Sequence, residues 1–315
     1  MITSVPRAAG IDCGTNSIRL LVADVERSGR LHDVHREMRV VRLGEGVDRT
    51  GRLGAAALER TRAALVDYAA TIKRLGAGSV RMVATSATRD ATNREQFVTM
   101  VREVLGVAPE VITGAEEAAL SFTGAVAGLP GVTGPLLVAD IGGGSTELVR
   151  GGDGAALRAH SMDVGCVRMT ERHLHDDPPT GAQIAATESD VRAALLAARA
   201  DVALDDGATL VGVAGTVTTI AAIALHLPAY DPDVIHGARI PVADVESVAR
   251  RLLAMSHEQR AELPVMHPGR VDVIGGGALV LQTLMREVGA TEVIASEHDI
   301  LDGIVLSLAP SAERR

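Results

Sequence analysis

VADIGGGSTELV, residues 138–149, sets three consecutive glycines after an apolar run that ends in Asp140, and follows them with Ser-Thr-Glu and more apolar residues. Short apolar runs on both sides of glycine read as two strands joined by a turn. The same grammar occurs earlier, in DCGTNSIRL from Asp12. Both copies have Asp first, Gly two later, Ser five later and Leu eight later (Leu20 and Leu148), at a separation of 128 residues. Two copies predict a duplicated domain, with each loop turning between antiparallel strands.

Working outward, strand-like runs alternate with helical periodicity, which is the pattern of an α/β architecture. Ile18–Val25 and Leu31–Leu43 read as strands. Leu58, Leu65, Tyr68, Ile72 and Leu75 recur at helical spacing, so a long helix is expected from about Ala55. Arg81–Thr85 and Glu110–Thr113 read as strands, Asn93–Leu105 as a helix, and another helix is expected near Ala115. GAVAGLPGVTGP, residues 124–135, is rich in glycine and proline and reads as the passage between domains. Beyond it come a strand at Pro135–Asp140, a strand at Thr209–Val213, a helix from Thr216 and a strand-turn-helix over Val271–Glu287. A last helix near Glu297–Leu308 carries Ile300, Leu301, Ile304, Val305 and Leu308 on one face. The expected domains are 1–128, with 297–315 packing back on it, and 129–296.

Composition narrows the function. The chain has 315 residues, 47% of them hydrophobic, but only two Phe, two Tyr and no Trp. Its cores must be aliphatic, and it lacks the aromatic platforms that single-stranded nucleic acids stack on. Net charge is −9, with no dominant basic footprint, so no nucleic-acid partner is expected. Among 31 basic residues only Lys73 is lysine, and arginine forks suit phosphate. Cys13 and Cys166 alone make neither a four-thiolate zinc site nor a disulfide scaffold. MITSVPRAAG has no apolar core of a secretory signal, and no run of about 18 apolar residues could span a membrane. A cytoplasmic protein is the expectation.

The glycine turns carry the chemistry. Glycine lets a ligand approach the backbone closely, and successive N–H groups in such a turn converge on an anion. Ser17 and Ser145 add hydroxyls. The alternative is a pair of plain tight hairpins; the repetition, with an Asp before each loop, favours phosphate. Neither GxGxxG before a helix nor GxxxxGK[ST] is present. A phosphate-rich substrate calls for Mg²⁺ on one or two carboxylates. Asp140 and Glu147 straddle the second turn and Asp12 opens the first. In ITGAEEAAL, Thr113 and Glu116 form a capping box, which leaves Glu117 as a candidate base. ATSATRDATN, residues 84–93, is a polar turn entering a helix. There Arg89 could reach an anion, against a reading in which Thr88, Asp90 or Thr92 caps the helix. VAGTVTT, with Gly215 and Thr216, and VIGGGA are further glycine turns that either hold phosphate or pack a helix closely. HLHDD, residues 173–177, lacks metal-ligand spacing, and His298 reads as a helix-start residue.

Together, DCGTNSIRLLVAD, ATSATRDATN, VITGAEEA, DIGGGSTELV, VAGTVTT and VIGGGA occur in the order found in the exopolyphosphatase and guanosine pentaphosphate phosphohydrolase family, which this chain resembles over nearly its whole length in a short, two-domain form. The resemblance implies two RNase H-like domains of the actin, Hsp70 and sugar-kinase superfamily around a cleft. It implies Mg²⁺-dependent release of terminal phosphate from polyphosphate or pppGpp; Mn²⁺ or a monovalent cation is also compatible, and homodimers are common among relatives. Carried onto matching positions, it implies Glu117 as base, and Asp12, Asp140 and Glu147 as an acidic, metal-holding cluster. It places phosphate contacts on Gly14, Asn16, Ser17, Arg89, Gly143, Gly144, Ser145 and Thr146. Cys13 and Thr15 occupy loop positions that vary in the family.

Two other readings use the same loops: a non-catalytic sensor of polyphosphate or (p)ppGpp, and a sugar or acetate-type kinase. Arg36, Arg39, Arg42, Arg49 and Arg52 could line a polyanion track, or could instead form ion pairs with Glu37, Glu45 and Asp48.

Overall fold

In the computed structural model the described residues are 6–309, apart from Arg27, Pro130, Asp153, Asp205 and Asp206. The outermost parts of the stretches read above, 1–5 at the start and 310–315 of the expected last helix, lie outside them, as does Pro130 of the expected linker. The chain divides into two compact units, one drawn from Met1–Ala127 and Asp299–Arg315, the other from Gly128–His298.

The first unit opens with β1 (Arg7–Cys13), β2 (Ser17–Val25) and β3 (Leu31–Val40). It continues with α1 (Val47–Thr50), α2 (Ala55–Leu75), β4 (Ser79–Ala84), α3 (Ser86–Asp90), α4 (Arg94–Leu105), β5 (Glu110–Val111) and α5 (Gly114–Ala127). The sheet order is β3-β2-β1-β4-β5. The first three strands are antiparallel, and β4 and β5 run parallel to β1.

The second unit contains β6 (Leu136–Ile141), β7 (Thr146–Gly151), β8 (Arg158–Met162), α6 (Cys166–His173), α7 (Gly181–Ala198), β9 (Thr209–Val213) and α8 (Ala214–Ala224). After these come α9 (Pro232–Ile235), β10 (Arg239–Pro241), α10 (Val242–Ala254), α11 (His257–Ala261), α12 (Ile274–Glu287) and β11 (Glu292–Ala295). Its sheet runs β10-β11-β9-β6-β7-β8. Taken from the other edge, β8-β7-β6-β9-β11 repeats the first unit's order and directions, with β10 added antiparallel at the edge. The architecture is α/β and duplicated, as the sequence repeat predicts. The register repeats too: Asp12 lies opposite Val83 and Asp140 opposite Val213, and each valine is followed by Ala, with a helix opening within three residues.

The chain returns to the first unit as α13 (Ile300–Leu306). Strand alternation explains why. On β1 and β2, Ala9, Ile11, Cys13, Ile18, Leu20 and Val22 face a core built with Leu65, Tyr68, Ile72 and Phe97 of α2 and α4. The opposite parity, Ala8, Leu21, Ala23 and Val25, faces Leu301 and Val305 of α13. Gly10 shares that face, where a Cβ would come within 2.7 Å of Val305.

Several boundaries differ from the sequence reading. Helix α5 runs through Ala127 into the expected linker, because Gly124 lets it cross α13, with Asp299 O only 1.8 Å from where a Cβ would sit. No strand forms at Val271–Val273, which is a turn leading into α12. The glycines of VIGGGA lie inside that helix and let α6 and α8 approach: a Cβ on Gly276 would meet Thr170 and Cys166, and one on Gly277 would meet Thr216. Residues 86–90, read as a turn, form the short α3. Thr88 is buried within it, and the Thr92 hydroxyl donates to Gly51 O, so neither caps α4.

Candidate active site

The geometry is set by two hairpin turns, one per unit. In the first, Gly14 N–H donates to Ser17 O at 3.0 Å; in the second, Gly142 N–H donates to Ser145 O at 3.0 Å. The repeated Gly and Ser close the same turn twice.

In the second unit, the DIGGGS loop rests on the start of α6. Gly142 O accepts from Cys166 N–H, Gly143 O accepts from Val167 and Arg168 N–H, and Gly144 O accepts from Arg168 Nε at 2.6 Å. In a planar trans peptide the N–H points opposite to its carbonyl. With three successive carbonyls turned onto α6, the amides of Gly143, Gly144 and Ser145 are directed away from it, as an anion-binding turn requires. Gly165 permits this seat, since a Cβ there would fall 2.5 Å from Gly143 O. The Thr146 hydroxyl is committed elsewhere: it is fully buried and donates to Val164 O at 2.6 Å.

Asp140 and Glu147 are direct cross-strand partners on β6 and β7, which places both carboxylates on one face beside the turn. They are 6% and 1% exposed, and Ser161 Oγ donates to Glu147 Oε1 at 2.7 Å. Arg270 lies against Gly215, where a Cβ would sit 2.2 Å from its guanidinium, and donates to Thr219 Oγ1 at 3.0 Å. Ala214, just before Gly215, has φ 68, an uncommon left-handed conformation for a side-chain-bearing residue.

In the first unit, Thr15 O accepts from Gly44 N–H and Asn16 O from the amides of Val41 and Arg42, so this loop too is held by its carbonyls. Thr15 Oγ1 and Ser86 Oγ share a hydrogen bond of 2.8 Å, joining the loop to α3. Arg89 Nη1 donates to Ile112 O at 3.1 Å and to Glu117 Oε2 at 3.0 Å. Glu117 is buried in the first turn of α5. Thr113 Oγ1 accepts from Glu116 N–H, but the Glu116 carboxylate pairs with Arg81, so only half of the expected capping box forms.

Asp12 differs from its repeat counterpart. Its cross-strand partner is Arg19, seven residues on, where Asp140 has Glu147. Arg19 Nε and Nη2 both donate to Asp12 Oδ2, at 3.0 and 2.6 Å, and Nη1 donates to Asp299. Asp12 Oδ1 is buried without a partner. Burial pushes the Asp12 carboxyl above the ordinary aspartate range, and Arg19 opposes that rise. Arg19 is the residue sequence reasoning missed. The signal was the repeat itself, which sets it in register with Glu147.

Hard carboxylate oxygens at Asp140 and Glu147, cross-strand partners within the second unit, fit a divalent cation that shares its shell with phosphate. Among the described residues no three His, Cys, Asp or Glu side chains gather around one metal-sized point. Asp12, their counterpart in the first unit, has an arginine where a second carboxylate would stand.

Other highlighted residues are occupied elsewhere. Arg36 pairs with Asp33 and Asp302, and Arg39 with Glu37 and Asp67, so neither is a ready polyanion contact. Glu45 pairs with Arg60, not with the arginine stretch. His173 meets Asp190, while His175, Asp176 and Asp177 line a cavity of about 240 Å³ with His257 and Arg260. His298 precedes α13, with its ring edge-on to His236 at 4.8 Å.

An acidic pair beside the second glycine turn, and the same turn repeated in the first unit, point to phosphoryl chemistry. Residues 21–312 match the Ppx/GppA phosphatase family. Exopolyphosphatase 2 of Mycobacterium tuberculosis is 53% identical, over 97% of this chain and 99% of its own. Guanosine-5'-triphosphate,3'-diphosphate pyrophosphatase of Aeromonas salmonicida is 29% identical, over 96% of this chain and 59% of its own. A crystal structure of an exopolyphosphatase-like protein superposes with a TM-score of 0.93 at 45% identity, covering 96% of this chain and 98% of that one. The chain belongs to the Ppx/GppA phosphatase family, and is a hydrolase.

Proposed function

We propose that this hydrolase releases the terminal phosphate of inorganic polyphosphate, with pppGpp as a second substrate, in a reaction that depends on Mg²⁺. The observation that carries the reading is the DIGGGS turn: its carbonyls are consumed by α6, so its amides point away from that helix, and two buried carboxylates stand beside it. A bound Mg²⁺, held by Asp140 and Glu147, would neutralise charge on the phosphate chain. Preorganised amides of Gly143, Gly144 and Ser145 donate to the phosphoryl oxygens as charge builds on them. Gly14, Asn16 and Ser17 form the equivalent turn of the first unit, and Gly215 and Thr216 at the start of α8 add a further phosphate contact.

Glu117 accepts the proton of the attacking water. Arg89 fixes that carboxylate through Oε2, which makes Arg89 a positioning residue for the base as well as a candidate phosphate contact. Polyphosphate is placed first because the chain has only two Phe and two Tyr and no Trp, and with Tyr68 and Phe97 fully buried only Phe122 and Tyr230 are left to stack on a guanine.

Glu117→Gln is expected to lower kcat by about 10²- to 10⁴-fold while polyphosphate binding persists. Phosphate release from polyphosphate and from pppGpp, each with Mg²⁺ titrated, tests the assignment. Full turnover in that variant would remove Glu117 from the role. Tight binding with no release by the unsubstituted protein would instead leave a sensor.

A further inference from the structure

The carbonyls of the DIGGGS turn meet the donors of α6 in order along both segments. Gly142 O accepts from Cys166 N–H at 2.9 Å, and Gly143 O accepts from Val167 and Arg168 N–H at 2.9 and 3.1 Å. The three leading amides of α6 are thus taken up by two carbonyls. The third carbonyl, Gly144 O, meets a charged side chain instead, Arg168 Nε at 2.6 Å. On the other side of the same peptides, the N–H groups of Gly143, Gly144 and Ser145 donate to no acceptor among the described residues. The Arg168 side chain is only 12% exposed, so water screens its field on the turn weakly. The carboxylate of Asp163, 4.0 Å from Nη2, is 77% exposed and screened well.

We propose that Arg168 is a positioning residue for phosphoryl transfer: its charge, set behind the Gly144–Ser145 peptide, fixes that peptide and strengthens Ser145 N–H as a donor to the phosphoryl oxygens. The proposal rests on the phosphate-releasing reading above. A hydrogen bond from a charged donor is roughly twice as strong as a neutral one, and bonds linked through one peptide polarise each other. The carbonyl and the N–H of a planar peptide point in opposite directions, so a donor pulling on Gly144 O aims Ser145 N–H away from α6. Glycine at position 144 has no Cβ to stop that peptide from rotating, and Arg168 supplies the restraint. A donor fixed before the reaction costs nothing to reorganise as charge moves in the transition state.

Three substitutions separate the charge from the contact. Arg168→Gln keeps an N–H donor and loses the charge. Arg168→Lys keeps the charge on a different donor. Arg168→Ala removes both, and leaves room for a small molecule to take the place of the side chain. Guanidinium ion restores shape and charge there, whereas urea has a similar shape and N–H groups but no charge. Arg172 is the control. It lies one turn further along α6 and pairs with Asp190.

The test is the steady-state rate of phosphate release from polyphosphate by the full chain and each variant, with the melting temperature of each. Arg168→Gln is expected to lower kcat/KM about tenfold, and Arg168→Lys by no more than about threefold, the difference between a charged and a neutral hydrogen bond. Arg168→Ala should lose about 10²-fold, as on removal of one preorganised donor, and regain activity with millimolar guanidinium but not with urea. Arg172→Gln should leave the kinetics unaltered. Recovery with urea equal to that with guanidinium overturns the proposal, and so does the absence of recovery with either. An equal loss in Arg172→Gln overturns it too, since it would mark a general field of α6. Should Arg168→Ala fail to fold, the other two variants decide: equal kinetics in Arg168→Lys and Arg168→Gln remove the charge from the role. If the unsubstituted protein releases no phosphate from polyphosphate, the underlying functional reading fails instead.

Discussion

At the scale of single residues, the turns depend on where peptide groups point. Gly165 shows the constraint most directly. Gly165→Ala drives a methyl group into Gly143 O and the Gly144 backbone, so the DIGGGS turn must shift or α6 must lift. An overpacking cost of about 1–3 kcal/mol is expected, with a fall in phosphate release larger than the stability loss alone would give. Urea denaturation and steady-state kinetics on the same preparation separate the two effects. Ser161 offers a milder change. Its hydroxyl donates to Glu147 Oε1, and Ser161→Ala should raise the Mg²⁺ requirement with little change in stability. The residue-level reading from sequence found the glycines, Asp140, Glu147 and Glu117 because each lies within a local motif. Arg19 and Arg168 escaped it. Their importance lies in what they touch, Asp12 on a neighbouring strand and a carbonyl 24 positions away in the chain, and no local pattern records that.

At the scale of elements, α5 and α13 cross at glycines. Gly303 would carry a Cβ 2.0 Å from Leu120 O, and the contact is backbone, which cannot rotate aside. Gly303→Ala is expected to destabilise the first unit by about 3 kcal/mol, seen as a lowered urea midpoint. Helix α7 supplies a pH-dependent contact. Asp190 accepts from His173 Nε2 and Arg172 Nη1, and the His173 bond, with Arg172, holds its carboxyl below the ordinary aspartate range. A carboxyl lowered in the folded state stabilises it above its unfolded value, near pH 4, and that stabilisation is lost as the pH falls through the folded value. The pair is part-exposed, so solvent screening limits the gain to roughly 0.5 kcal/mol. Asp190→Asn should lower stability at neutral pH by roughly 0.5 kcal/mol and flatten the profile below about pH 4, as measured by urea unfolding across pH.

For the whole molecule, the two units differ in how the chain builds them. The second is one continuous stretch, whereas the first needs the segment that returns after His298. Ile300, Leu301, Ile304 and Val305 are 3%, 1%, 0% and 0% exposed, all on the sheet face that α13 covers. At about 1.5–3 kcal/mol for each buried side chain, their loss rivals the net stability of a typical domain. Truncation after His298 is therefore expected to unfold the first unit, visible as loss of a cooperative transition in calorimetry. A truncated chain that kept both transitions would show that α13 is dispensable.

The amino-acid order alone determined the duplication, the hairpin turns and the acidic positions beside them. The turns and acidic positions follow from alternation, glycine and spacing, which act over fewer than ten residues, and the duplication from the recurrence of that short pattern 128 residues later. It misplaced the helix that crosses the expected linker and the glycines inside α12, because in both cases glycine serves close packing against a distant helix instead of a turn. Only the tertiary structure decided that α13 covers β1 and β2, that Arg19 binds one oxygen of Asp12, and that the DIGGGS carbonyls are spent on α6. These contacts join residues far apart in the chain, and their energies depend on distance and burial, which residue order does not contain.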